Sequence, residues 1–255
     1  MPHRFHLPIK YLYNLILGRL EPELSLLPYI IRLGSNVVDI GGNRGIYTLM
    51  LYRLGAHIKV FEPNPACVRT LSSWAKDKAN VQVFDVALSD HSGYAELSVP
   101  VDEKGIEHDS SASIEKNNFK NAYQIHVKTT TLDSHGFDKV DFIKIDVEGH
   151  EVSVLKGAQK TILSSYPALL IEIEQRHNQK NINEILDNIC SMGYVGFYFQ
   201  YNQLKTLQSF IVERDQNPNN FGSKKNTYIN NFVFLHRDRI GRDEYRHLFF
   251  KWPVQ

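Results

Sequence analysis

The stretch "NVVDIGGNRGIYTLMLYRLGAHIKVFEPNP", from Asn36 to Pro65, constrains this chain more than any other. An apolar run ends in Asp39 and is followed by Gly41, Gly42 and Gly45. An amphipathic stretch comes next, then a second apolar run that ends in Glu62. Short β-branched runs read as strands, and the spacing between them reads as helix. The result is a βαβ unit with a glycine turn after its first strand and an acid at the end of its second. In open, mostly parallel sheets, ligands bind at the carboxyl ends of the strands. Two ligands suit such a turn, a nicotinamide dinucleotide and S-adenosylmethionine.

The alternation continues along the chain. Val37–Ile40, Ile58–Phe61 and Val81–Phe84 read as strands, and Arg44–Leu54 and Pro65–Lys78 as helices. Asn64 is placed to cap the second helix, with Pro65 at its first position. "ALSDHSGYAELSVP" predicts a turn and a half-buried strand, and "QIHVKTTTLDS" another strand. "VDFIKIDVEGHEVSVLKGAQKTIL" predicts a strand ending at Asp146 and a helix from about Glu148. "PALLIEIE" reads as a buried strand, "NINEILDNICSMGY" as a helix ending at Gly193, "YVGFYFQ" and "NNFVFLH" as late strands, and "RDEYRHLFFKW" as a terminal helix. Val101–Asn118 is polar and reads as a loop of the kind that often covers a site. "IKYLYNLILGRL" near the start predicts a helix, packed either over the cofactor site or against the core.

A chain of 255 residues suits one large α/β domain. The net charge of +1 does not steer the chain as a whole toward nucleic acid or acidic lipid. Cys67 and Cys190 form no C-x-x-C, which fits a reducing compartment and speaks against a disulfide scaffold or a thiolate zinc site. No segment approaches the roughly 20 apolar residues of a membrane span. No small-residue cleavage site follows the N-terminal apolar stretch, so a cytoplasmic location is expected.

The glycine tract decides between the two ligands. A dinucleotide fingerprint needs G-x-G-x-x-G. Counted from Gly41, its middle glycine falls on Asn43 and its last on Ile46. What remains is D-x-G-x-N-x-G, built from Asp39, Gly41, Asn43 and Gly45. Glycine lets backbone approach a ligand closely, which suits the zwitterionic arm of S-adenosylmethionine. Asp39 is placed to accept from an ammonium or to fix the turn. Glu62, followed by Pro63, is expected to accept from both ribose hydroxyls. Asp85 is expected to accept from an adenine amine while Val86 packs on the ring; a turn-forming aspartate is the alternative for Asp85.

"DFIKIDVEGHEVSVLKGA" followed by "PALLIEIE", together with "VVDIGGNRGIYT", "FEPNP" and "ALSD…G", resembles the FkbM family of S-adenosylmethionine-dependent methyltransferases. The resemblance runs from about Asn36 to Glu174, with "TTTLDS" in its expected place. It implies an α/β, class I, Rossmann-like methyltransferase fold: a seven-stranded, mostly parallel sheet with its last strand antiparallel and helices on both faces. With the chain length, this gives a single expected domain over 1–255: an N-terminal helical extension (1–34), the family-like cofactor-binding core (36–174) and a C-terminal part (175–255), beyond the resemblance, that completes the sheet and could shape the acceptor site. It implies S-adenosylmethionine as cofactor, S-adenosylhomocysteine as product, and O-methylation, often of a sugar or polyketide. "SSASI" (Ser110–Ile114) resembles the family's serine-rich stretch, and the family usually has alanine where Gly42 stands.

An alcohol is a poor nucleophile at neutral pH, and a general base contributes about 10²–10⁴-fold. Asp146, Glu148, His150 and Glu151 follow one central strand; Glu172, Glu174 and His177 end or follow another. Lys144 and Asp146 share a strand face and can pair. Asp146 also lies near the expected methionine arm, so Asp146→Asn is expected to abolish turnover. Glu148 would sit in a first helical turn, where an acid is favourable without any function. Glu172 matches the family's glutamate and is expected to orient the acceptor or act as base. His150 and His177 are bases by chemistry, although each alone is more often a surface histidine. Asp146, Glu148 and Glu172 could make an oxygen-rich Mg²⁺ site, but there is no H-E-x-x-H, and no metal is expected.

These readings converge on an O-methyltransferase whose acceptor is a hydroxyl of a glycan, a glycolipid precursor or a secondary metabolite. The glycan is slightly preferred because aromatic residues of "YVGFYFQY" could stack on a sugar. A nicotinamide-dependent oxidoreductase would need the missing glycine and a Tyr-x-x-x-Lys relay. A nucleic-acid amino-methyltransferase would carry Pro-Pro-aromatic where Val147, Glu148 and Gly149 stand, so no nucleic-acid partner is expected. A non-catalytic scaffold that kept the fold is a further alternative. Monomer and homodimer both remain open. Glu62→Ala is expected to weaken cofactor binding with little loss of fold.

Overall fold

The computed structural model describes residues 6–18, 20–102, 112–115, 121–221 and 227–254. Most of the 101–118 loop, with Ser110 and Ser111, lies outside the described residues.

Helix α1 (His6–Ile16) and the short α2 (Leu27–Ile30) precede the sheet. Then β1 (Asn36–Ile40), α3 (Ile46–Arg53), β2 (His57–Phe61), α4 (Pro65–Ala75) and β3 (Val81–Phe84) form the expected βαβαβ unit. The strands β4 (Ala87–Leu88), β5 (Gly93–Pro100) and β6 (Ala122–Thr130) form a separate three-stranded sheet. The chain returns to the main sheet through β7 (Phe142–Ile145), α5 (Glu151–Gly157), α6 (Gln159–Ser165) and β8 (Ala168–Glu172). It ends in α7 (Asn183–Ser191), β9 (Tyr194–Gln200), β10 (Gln203–Thr206), α8 (Val212–Asp215), β11 (Asn231–His236), α9 (Arg237–Gly241) and α10 (Arg246–Lys251).

The main sheet has the order β10-β9-β11-β8-β7-β1-β2-β3. Strands β3, β2, β1, β7 and β8 are parallel neighbours, and β11 inserts antiparallel between β8 and β9. This is the class I methyltransferase order, with its last strand antiparallel. The sheet has eight strands rather than the expected seven. The extra one, β10, folds back on β9 through Tyr201 and Asn202, both in left-handed backbone with φ of 53° and 58°. A two-residue turn of that conformation matches the strand twist and closes a hairpin.

The central strands are apolar on both faces because helices cover both. Val38, Ile40, Ile143, Ile145 and Ile171 pack toward α5, α6 and α7, while Val37, Phe142 and Leu170 pack with Leu51 of α3 and Leu248 of α10. The two sets alternate along each strand, as the two-residue period requires. Asn64 caps α4, its side chain accepting from the Ala66 N–H with Pro65 at the first position.

Three sequence expectations are corrected. The helix after β7 begins at Glu151, not Glu148, because Glu148 and Gly149 take φ of 51° and 101° and form a turn. The expected terminal helix is shorter, α10 at Arg246–Lys251, because Asp243 has a φ of 61° and separates it from α9. Of the aromatic residues expected to face a sugar, Tyr194, Phe197, Tyr198 and Phe199 of β9 are buried, and Tyr201, in the turn after β9, is 57% exposed.

Candidate active site

The carboxyl ends of β1, β2, β7 and β8 converge on a cleft with two joined compartments. The first is mainly apolar and is lined by Ile40, Phe61, Leu88, Leu97, Ile114 and Val147, with Glu62, Pro63, Ser113 and His150 at its polar points. The second is strongly polar and is lined by Lys10, Glu21, Asp39, Tyr47, Lys144, Glu172 and Arg176. Gly41, Asn43, Asp146 and Glu148 border both.

The glycine turn serves the protein's own packing. A Cβ on Gly41, with φ of 76°, would lie 1.8 Å from the Asp146 carbonyl oxygen, so the end of β7 presses directly on the turn. A Cβ on Gly45 would meet Leu71 at 2.7 Å and Leu7 at 2.9 Å. Helix α1 thus covers the glycine turn with Leu7 and reaches the polar compartment with Lys10. Asp39 is buried and accepts the Thr48 hydroxyl at 2.6 Å. Burial raises its pKa against the lowering effect of that bond. Asp39 therefore fixes the start of α3 while also lining the polar compartment.

Glu62 is buried, and its two oxygens accept the N–H groups of Asn43 (2.6 Å) and Asn64 (2.8 Å). A carboxylate has about four acceptor sites, so capacity remains for donors in the cleft. Burial pushes its pKa up to about 7, against the two backbone bonds.

At the end of β7, buried Lys144 donates to Asp146 at 3.0 Å and lies 4.6 Å from the centre of the Tyr47 ring. Burial works against its charge, but Asp146, Glu21 and Glu172 outweigh burial and hold the ammonium protonated. The expected Lys144–Asp146 pair is present, and Asp146 still borders both compartments. Glu172 ends β8 and accepts from Asn230 at 2.6 Å. Burial and then the charge of Asp146 hold its carboxyl well above the usual range, with Lys144 opposing. Tyr47 donates to Glu21 at 2.6 Å, and Asn231 reaches the same oxygen at 3.3 Å.

Glu148 sits 2.9 Å from His177, and its backbone carbonyl accepts the Ser113 hydroxyl at 2.7 Å. Ser113, from the serine-rich stretch, is buried and ties the segment after β5 to the turn after β7. His150 lines the apolar compartment with both ring nitrogens engaged, by Glu115 at 2.6 Å and Ser89 at 2.9 Å. That clamp leaves it a brace rather than a free base. Asp85 is exposed, and neither it nor Val86 lines the cleft. Leu88, Leu97 and Ile114 line the apolar side of the cleft instead, because the chain turns into the small sheet immediately after β3.

No metal is expected from the sequence; among the described residues, a group able to approach one metal ion is Glu148, Glu174 and His177 rather than Asp146, Glu148 and Glu172. Arg176 already binds both oxygens of Glu174 at 2.6 and 2.9 Å, and Tyr228 donates at 2.7 Å. Burial would raise Glu174, but Arg176 and Tyr228 outweigh it and hold its pKa below the ordinary value. Its acceptor capacity is largely spent on these partners.

Sequence reasoning missed Glu21, Tyr47, Lys10 and Arg176. None belongs to a motif, and only the fold brings them to the strand ends. Ser113 carried a signal, its place in the serine-rich stretch, but no role.

A search of curated proteins returns no match. The family model described as "Methyltransferase FkbM domain" matches residues 39–195, more than half of the chain. Among solved structures, a methyltransferase FkbM from Methylobacillus flagellatus is 17% identical over 80% of this chain and 45% of that one, with a TM-score of 0.51. This chain therefore spans less than half the length of that protein, and the likeness is one of fold. An rRNA methylase from Streptococcus thermophilus is 14% identical over 84% of this chain and 93% of that one, with a TM-score of 0.45. A TehB-like SAM-dependent methyltransferase from Corynebacterium glutamicum is 12% identical over 92% and 98%, also with a TM-score of 0.45.

Proposed function

The chain belongs to the FkbM methyltransferase family, and from that premise we propose that it transfers the methyl group of S-adenosylmethionine to a hydroxyl of a glycan, glycolipid precursor or secondary metabolite. The observation that carries this reading is the junction of the two compartments at Asp146. An apolar slot with a buried acid at its edge meets a polar pocket lined by carboxylates.

The residues fit the cofactor. Leu88, Leu97 and Ile114 form an apolar slot for a flat base, and Glu62 keeps acceptor capacity for ribose hydroxyls. Asp39, Gly41, Asn43 and Gly45 border the polar compartment where a zwitterionic arm would lie. When bound, S-adenosylmethionine supplies an electrophilic methyl group on a sulfonium.

The protein must align the acceptor and manage its proton. Fixing the acceptor in line contributes roughly 7–11 kcal/mol of barrier lowering in favourable cases. Glu172 is the group best suited to take the hydroxyl proton, because its raised pKa brings it nearer the working pH. Asp146, held by Lys144, positions the acceptor. Glu21 and Glu172 offer acceptors to a polyhydroxylated ligand, which keeps a glycan in view without the β9 aromatics.

Isothermal titration with S-adenosylhomocysteine, with NAD run in parallel, tests the cofactor. Binding of S-adenosylhomocysteine alone is expected. Binding of NAD alone would overturn the reading. Label transfer from S-adenosylmethionine to a panel of sugars and polyketide alcohols then identifies the acceptor class.

A further inference from the structure

Beside the polar compartment lies a further cleft of about 610 Å³, within the range of roughly 300–1,000 Å³ usual for small-molecule sites. Arg176 and Phe221 line both, so the cleft continues the acceptor side of the active site. Its floor is fixed by side-chain amides bonded to backbone. The buried Gln216 donates to the carbonyls of Ile173 and Ile229 and accepts the Gln175 N–H. Gln175 in turn donates to the carbonyls of Asn178 and Lys180 and accepts the Ile182 N–H. A floor clamped in this way is preorganised, which lowers the ordering cost of binding.

The wall is built around one aromatic residue. Asn217 caps the turn Pro218–Asn220, which delivers Phe221 to the cleft. The Arg176 guanidinium lies 4.3 Å from the centre of the Phe221 ring, and Tyr228 meets that ring edge-on at 5.3 Å. Tyr228 also donates to the buried Glu174, which holds Arg176 through both oxygens. Phe221 is nonetheless 54% exposed. Two N–H groups of Arg176 serve Glu174, so donors remain on a guanidinium held beside an open aromatic ring.

Charge selects the occupant. Arg176 is matched by Glu174, and the other charged residue among the described lining is Glu213. This lining has no excess cation to hold a phosphate or a carboxylate. A neutral sugar fits it: hydroxyl oxygens for the spare N–H groups, and an apolar C–H face for a ring whose own face is electron-rich.

We propose that this cleft binds the sugar unit next to the one that is methylated, with Phe221 against its apolar face and Arg176 on its oxygens. The acceptor is then a neutral glycan of at least two units, not a free sugar or a compact secondary metabolite. The proposal rests on the methyl-transfer reading and narrows its acceptor class.

The test begins with a printed array of neutral mono- and oligosaccharides, probed with the full chain in excess S-adenosylhomocysteine. Retention on oligosaccharides, and not on their terminal monosaccharides, is expected. Label transfer from S-adenosylmethionine then compares a retained oligosaccharide with its terminal monosaccharide. The oligosaccharide should have a kcat/KM about tenfold higher or more, and Phe221→Ala should bring that ratio close to one. Phe221→Tyr keeps the flat ring and should preserve the ratio. A merely structural loss would lower both substrates alike and leave the ratio where it was. Circular dichroism and S-adenosylhomocysteine titration check that the variants are folded. Equal kcat/KM for the two substrates, or a Phe221→Ala chain that keeps the preference, would overturn the proposal. The two readings also fail separately. Label transfer to other alcohols with no retention on the array overturns only the second sugar site. Retention with no label transfer to any acceptor overturns methyl transfer and, with it, the place of this unit beside a methylated one.

Discussion

The backbone N–H of Asn43 donates to Glu62 at 2.6 Å, so the acid that ends β2 holds the glycine turn that follows β1. Its other oxygen accepts the N–H of Asn64, which caps α4. Glu62→Ala would strand both donors, at about 1–3 kcal/mol for each one that stays buried. The loss of fold is therefore larger than the sequence alone leads one to expect. Glu62→Gln separates the two roles, since it keeps the volume and one acceptor and removes a buried charge. Its amide NH2 faces one of the two backbone N–H groups, so stability should fall by about 1–3 kcal/mol, less than in Glu62→Ala. Affinity for S-adenosylhomocysteine should fall about tenfold or more, which corresponds to roughly 1.4 kcal/mol. Unchanged affinity in calorimetry would remove Glu62 from the cofactor site.

Gly42 stands where the resembled family usually has alanine, and the structure gives a reason. A Cβ there would lie 2.3 Å from Cγ1 of Val60, on the neighbouring strand β2. Valine is stiff at χ1 and cannot swing its methyl aside freely. Gly42→Ala should therefore destabilise by about 1–3 kcal/mol, as overpacking does. Val60→Ala alone leaves a small cavity and is also destabilising. Together they should lose less than the sum, with a coupling of about 1 kcal/mol or more in a double-mutant cycle. Additive losses in chemical denaturation would show that the two positions do not share this space.

Three buried glutamates make stability depend on pH in an unusual direction. Burial raises Glu23 from 4.5 to about 8, and Glu62 and Glu151 from 4.5 to about 7. Between the lower and upper values the folded state binds more protons than the unfolded one. Stability from these groups is fully present below about 4.5 and falls as pH rises through 7 to 8. Urea midpoints should decline from mildly acidic to mildly alkaline pH. Glu151→Gln should flatten that slope by on the order of 3 kcal/mol across the window. A native midpoint that rises over this range would contradict the burial argument.

The fold was legible wherever a local pattern carried it. The β1–α3–β2–α4–β3 run follows from strand and helix periods, and Asn64-Pro65 marked the α4 start because capping is a local interaction. Glu62 and Asp146 line the cleft as expected of acids placed at strand ends. Asp85 and Val86 were misplaced because the small sheet redirects the chain after β3, and that sheet depends on β6, about 40 residues on. Glu148 was read as helical because an acid is favourable in a first helical turn; in the structure it has positive φ and meets Ser113 and His177, both distant in sequence. Glu21 and Tyr47 meet only because the N-terminal segment packs back over the strand ends.

The assignment of the base makes the sharpest kinetic prediction. Burial and the charge of Asp146 raise Glu172 well above the carboxylate range, while Lys144 opposes them. If Glu172 takes the acceptor's proton, kcat/KM must rise with pH along an acidic limb above the usual value of about 4.3. Glu172→Gln should lower kcat by about 10²–10⁴-fold and abolish that limb. Its affinity for S-adenosylhomocysteine should change less than that of Glu62→Gln, because Glu172 does not line the apolar compartment proposed for the base and ribose. Asp146→Asn should abolish turnover by a different route, since it removes the negative charge 3.0 Å from buried Lys144 and alters the junction of both compartments. A Glu172→Gln enzyme that kept more than half the native rate, with the limb intact, would move the base to Asp146. Glu172 would then be left as an acceptor-orienting group.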